Sequence, residues 1–184
     1  MAEESRFAEM QRYLAEQFHE VSKIDFDIGV YSDVLDEANL YSWGYWIKHH
    51  CRCIYGEDLA TQFMPFSPSK KIAKAVNGDF VEVLNGYIKQ IENCRHSNEL
   101  KLLQRAASRK LLRSTDILRL EGDSDWPESL DDYLRKYTQR YPEQKNRLDY
   151  FFAQSLNPIA NGPQFVSNLR WFINWLVNEK NKAI

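Results

Sequence analysis

Three clusters in this chain of 184 residues carry side chains able to do chemistry. The densest is "HHCRC", where His49, His50, Cys51 and Cys53 fall within five positions. Imidazole and thiolate are the ordinary ligands of zinc, but a zinc site takes four, usually as two pairs from separate loops. Here the second pair would have to come from Cys94 and His96, and neighbouring side chains on one element point apart. Nothing places a base or an oxyanion hole beside either thiol, as a Cys–His nucleophile requires. The expectation is no metal, with both cysteines buried as small apolar groups where a helix hands over to a short strand.

The second cluster is "DFD", with Asp25 and Asp27 two positions apart. On a strand both carboxylates share one face, about 6.5 to 7 Å apart at a rise of roughly 3.3 Å per residue. Such a pair can help hold Mg²⁺ alongside substrate phosphates. It can equally be the solvated face of an edge strand, and acids prefer the surface.

The third is "RAASRKLLRSTDILR", where Arg105, Arg109 and Arg113 recur every four residues, with Lys110 beside them and Arg119 offset. A row of guanidinium groups on one helix face can grip phosphate oxygens two at a time. A salt-bridged, solvated face has the same spacing. Nearby, "GDSDWP" lacks the length and the closing Glu of a calcium loop, so it is expected to form a Ser/Asp turn with a packed Trp126. No Arg is followed five residues later by His, which disfavours a nuclease built on that pair.

The elements that must position these groups are mostly helical, since only seven Gly and six Pro punctuate the chain. Phe7, Met10, Leu14 and Phe18 recur at helical steps between about 4 and 19. Ile24, Phe26, Ile28 and Val30 then alternate with polar or small residues, as in a half-buried strand. Helical spacing resumes over about 33–50, and "RCIY" reads as a second strand closed by Gly56. Beyond Pro65 and Pro68, helices are expected over about 70–93, 98–120, 129–140, 142–155 and 164–180. The resulting organisation is mainly α: a small α/β segment over 1–64 and a helical bundle over 65–184.

Composition restricts the partners. A formal net charge of −2 argues against general nucleic-acid binding. No stretch has the roughly 18 apolar residues of a membrane span. Three cysteines, an odd count, suit a reducing compartment. The charged start "MAEESRFAEMQRYLAEQF" lacks the apolar core of a signal peptide, so a cytoplasmic protein is expected.

The order "IDFDIGVYS", "YSWGYWIKHH", "RCIYGEDL", then a Pro-containing loop and long helices, resembles bacterial nucleotidyltransferases of the DNA-polymerase-β superfamily. "CIYGEDL" carries the strongest likeness, and "SRKLLRSTDILR" with the following helices is similar to the helical domain of the aminoglycoside-nucleotidyltransferase-like branch. The resemblance implies a remnant of the nucleotidyltransferase sheet before the bundle. It also implies Mg²⁺ and ATP or another NTP as cofactors only where the catalytic half is supplied, with a small-molecule or protein acceptor in the full-length family. In its terms Asp25 or Asp27 corresponds to the third carboxylate of the family, and Arg109, Lys110 and Arg113 face the nucleotide phosphates or the acceptor. The family's phosphate-cradling Gly-Ser turn is missing, because none of the seven glycines precedes a serine. The chain is therefore expected to be incomplete or inactive alone. The alternative expectation is a non-catalytic helical interaction module, a homodimer or toxin–antitoxin-type partner, with Trp171, Phe172 and Trp175 as anchors.

Overall fold

The computed structural model describes residues 2–19 and 26–182. It divides into two compact units, Met1–Leu40 and Tyr41–Ile184. No strand occurs among the described residues.

In the first unit α1 spans Ala2–Gln17 and α2 spans Tyr31–Val34, followed by a 3-10 turn at Glu37–Asn39. Phe7 packs against Phe26, with ring centroids 6.0 Å apart. Val34 is the buried apolar side chain among this unit's described residues, whereas Met10, Phe18, Ile28 and Val30 are exposed. The alternating segment is the first correction: residues 26–30 have no regular structure, and Ile24 and Asp25 lie outside the described residues. A period of two specifies a strand only where a neighbour completes the ladder; a lone extended segment has nothing to pair with.

The expected helix over 33–50 is also broken. Asp36 turns its carboxylate onto the N–H of Ala38 at 2.7 Å, starting the short 3-10 turn. A π-helical turn follows at Leu40–Gly44, then α3 at Tyr45–His50. The second expected strand, "RCIY", has no regular structure, and its side chains are exposed.

The second unit is the bundle: α4 (Lys70–Asn77), α5 (Phe80–Asn93), α6 (Ser97–Ser114), α7 (Leu130–Arg140), α8 (Lys145–Leu156) and α9 (Gly162–Lys182). Ser69 caps α4 by accepting from the N–H of Ile72 at 3.3 Å. Ser129 and Asp132 form a reciprocal capping box at the start of α7. α6 ends early because hydroxyls compete for its carbonyls: Ser114 donates to the Lys110 carbonyl at 2.7 Å and Thr115 to that of Leu112 at 2.6 Å. The chain then tightens to a 3-10 turn over Thr115–Leu118.

The core is continuous across four helices. Leu84 and Ile88 of α5, Leu111 and Leu112 of α6, Phe151 of α8, and Phe165, Leu169 and Phe172 of α9 are all buried. Phe151 meets the edges of both Phe165 and Phe172 at 5.7 Å. Phe172 is therefore a core residue rather than an interface anchor. Trp171 is exposed, and the Arg147 guanidinium lies 3.6 Å from its ring centroid.

Candidate functional site

The arginine row lies on α6, which the apolar positions Ala107, Leu111 and Leu112 fasten to the bundle. Its members have different fates. Arg105 turns inward and donates to the carbonyl of Leu156 at 2.8 Å, at the end of α8. Lys110 is held by Asp79 in an ion pair of 2.7 Å. Arg109 and Arg113, one turn apart, are exposed, and neither makes a hydrogen bond or ion pair with another described residue. Arg113 sits close enough to Tyr133 for its charge to act on that hydroxyl. Two adjacent guanidinium groups without a carboxylate partner form a surface suited to a phosphate or other anion.

Arg119, at the offset position, does something else. It is 2% exposed. Its Nε reaches Asp116 at 3.3 Å, one Nη donates to the Asp123 carbonyl at 2.8 Å, and the other donates to the Asp125 carbonyl. Around it the charges balance. Lys136 lies 3.7 Å from Asp116, 3.1 Å from Asp123 and 3.0 Å from Asp125. Arg140 takes both oxygens of Asp123, at 3.0 and 2.8 Å, and Tyr137 donates to Asp116 at 2.9 Å. Burial opposes ionisation of Asp123, but bonds from Arg140, the Leu120 N–H and Lys136 prevail and hold its carboxyl well below the usual range. Burial, reinforced by the charge of Asp116, pushes the hydroxyls of Tyr133 and Tyr137 far up.

This network pins "GDSDWP" to the bundle. It lines a cleft of about 530 Å³ together with Trp126, Pro127, Asp132, Arg135 and Gln139. Its cationic groups are already matched by carboxylates, so the cleft offers no unmatched buried charge to a ligand. The sequence carries a signal for it: Asp116 three residues before Arg119, and Lys136 one turn before Arg140, with Asp123 and Asp125 between.

Pinning the loop presents Trp126 to α3. Tyr45 stacks on its indole at 5.1 Å with rings 16° from parallel. His50 Nε2 is hydrogen-bonded to the Tyr45 hydroxyl at 2.8 Å, and His49 Nε2 accepts the N–H of Phe66 at 3.0 Å. Burial, then the charge of Asp116, pushes the Tyr45 hydroxyl up to about 12. Burial, then His49, lowers the pKa of His50. Both imidazoles thus serve a helix-to-loop seam. Among the described residues no three His, Cys, Asp or Glu side chains converge as metal ligands. Cys51 and Cys53 are exposed, against the expectation of burial.

The motif "YGEDL" is a local turn. Gly56 has a φ of +81°, a conformation costly for any residue with a Cβ. Asp58 then caps the 3-10 turn Leu59–Gln62 by accepting from Ala60 N–H at 3.0 Å. Of the carboxylate pair, Asp25 lies outside the described residues, and Asp27 is exposed in coil in the first unit. No protein-family model, curated protein or solved structure matches the chain.

Proposed function

We propose that this chain is a nucleotidyltransferase-like protein whose helical bundle supplies phosphate-binding arginines, Arg109 and Arg113, rather than a self-sufficient catalytic centre. The observation supporting this reading is the pair itself: two exposed guanidinium groups one helical turn apart, with no carboxylate partner among the described residues. Most other bundle arginines are engaged: Arg105, Arg119, Arg135, Arg140 and Arg170 by hydrogen bonds, Arg147 by Trp171. In the proposed transfer an NTP donates its nucleotidyl group to a small-molecule or protein acceptor. Positioning and charge neutralisation dominate such chemistry.

Mg²⁺ in such chemistry is usually held by one or two carboxylates together with the substrate phosphates. In this reading the bundle contributes guanidinium–phosphate contacts to nucleotide binding. Asp25 and Asp27 are the carboxylates that the family resemblance would associate with them. Isothermal titration calorimetry with ATP and Mg²⁺ tests the reading. Binding that Arg109→Ala and Arg113→Ala each weaken supports it, and no heat at millimolar ATP overturns it.

One observation favours the second reading, a non-catalytic interaction module. Ile54, Tyr55 and Met64 are 93%, 96% and 82% exposed, apolar side chains left uncovered beside α3. Light scattering over a dilution series decides its homodimeric form: a strict monomer at every concentration removes it.

A further inference from the structure

Cys51 and Cys53 are anomalous. Unbridged cysteine is among the most buried residue types, yet these two are both exposed, and all three cysteines of the chain are thiols. The structure that presents them is specific. α3 ends at His50, and Cys51 leaves it in an extended conformation, φ −103° and ψ 156°.

With one residue between Cys51 and Cys53, their Cα atoms are at most about 7 Å apart whatever the conformation of Arg52. A disulfide spans about 4.4–6.8 Å between Cα atoms, so the two are close enough to bridge with little backbone movement. Both residues line one cleft of about 170 Å³, together with Ile47, Arg52, Glu57 and Leu59. The Cys53 thiol meanwhile donates weakly, to the carbonyls of Tyr55 at 3.5 Å and Gly56 at 3.8 Å. The chain turns at Gly56, where φ is +81°. No ladder holds the segment straight, since no strand forms among the described residues.

We infer that Cys51 and Cys53 form a reversible dithiol–disulfide pair, oxidised by a low-molecular-weight disulfide such as oxidised glutathione. One cysteine thiolate attacks the glutathione disulfide, forming a mixed disulfide and expelling one glutathione thiolate, which takes up the proton the cysteine lost. The second cysteine thiolate then attacks the protein-side sulfur and expels the other glutathione. The two cysteines together lose two electrons and two protons, and oxidised glutathione becomes two molecules of glutathione. A bridge across one intervening residue closes a short, strained ring, and strained exposed disulfides are the readily reduced ones. Cys94 takes no part; it lies at the end of α5, its thiol donating to the His96 carbonyl at 3.3 Å.

The test equilibrates the full chain in glutathione buffers of graded redox ratio, then alkylates remaining thiols and maps peptides by mass. The expected result is that Cys51 and Cys53 lose their thiols together, with a mass change of two hydrogens and no retained glutathione, in the Cys94→Ser variant as well. In Cys51→Ser or Cys53→Ser the remaining cysteine should keep a stable glutathione adduct. Adducts accumulating independently on both cysteines of the unmutated chain, Cys94 oxidising in step with them, or linkage only between chains would overturn the inference.

Discussion

Tyr45 and Trp126 lie face to face, 5.1 Å between ring centroids and 16° from parallel, joining α3 to a loop far along the chain. The stack depends on Arg119, because the carbonyls of Asp123 and Asp125 that Arg119 holds fix the loop just before Trp126. A single buried guanidinium thereby decides where the seam between α3 and the bundle closes.

Trp126→Ala should loosen that seam without unfolding the bundle. An aromatic pair contributes about 1 kcal/mol beyond its area, and the indole's own burial adds to this. Urea denaturation should show a loss of that order or somewhat more, and hydrogen exchange should speed up in α3 while the core of α5 and α9 keeps its protection. Unchanged exchange in α3 would mean the stack does not hold the helix.

Arg119→Met should be much more damaging. It leaves Asp116 only the more distant Lys136 as a cationic partner, and two loop carbonyls lose their Arg119 donors. Breaking a buried pair on one side costs about 3–5 kcal/mol. Arg119→Lys should rescue only part of this, because one ammonium cannot reproduce a fork reaching three acceptors. Equal stability of the Lys variant and the unmutated chain by urea denaturation would refute the account.

Stability should fall at both ends of the pH scale, for opposite reasons. The Asp123 carboxyl is held below its ordinary range by Arg140, Leu120 and Lys136 against the cost of burial. Its contribution is complete above the unfolded value of about 3.9 and is lost as pH falls below it. Burial and then Asp116 raise the hydroxyl of Tyr137, so the folded state favours the neutral phenol. That contribution is complete below about pH 10 and is lost as pH rises beyond it. Thermal melts across pH should show Asp123→Asn flattening the acid limb and Tyr137→Phe the alkaline one.

Arg109→Ala with Arg113→Ala should leave stability nearly untouched, within about 0.5 kcal/mol, as for exposed side chains without partners. Lys110→Ala should cost at most about 1 kcal/mol, the value of a partly exposed pair with Asp79. If the double arginine variant unfolds instead, the pair has a structural role and its exposure has been misread.

Helical periodicity was legible wherever it coincided with a hydrophobic core. The run Phe80, Leu84, Ile88 and Ile91 marks the buried face of α5, and Leu111 lies on the buried face of α6. The cap of α4 was legible as Ser67 or Ser69, and it is Ser69, which acts on a backbone N–H only three residues away. The fate of each basic residue on α6 was not. Spacing placed Arg105, Arg109, Lys110 and Arg113 in one group, but partners distant in sequence divided them: Leu156 took Arg105 and Asp79 took Lys110. The alternation at Phe26, Ile28 and Val30 promised a strand that did not form among the described residues, since a strand exists only with a neighbour.

The sequence by itself therefore determined the helical character, the core-facing stripes and the break in the loop around Trp126, because those follow from interactions within a few residues. The helix expected over about 70–93 is instead divided into α4 and α5 at Gly78 and Asp79. Only the tertiary structure decided that Arg119 is buried while Arg109 and Arg113 face solvent, and that His49 and His50 brace a seam. Charge, exposure and hydrogen-bond partnership are properties of pairs. The partners here come from helices and loops whose positions the hydrophobic core sets when it closes.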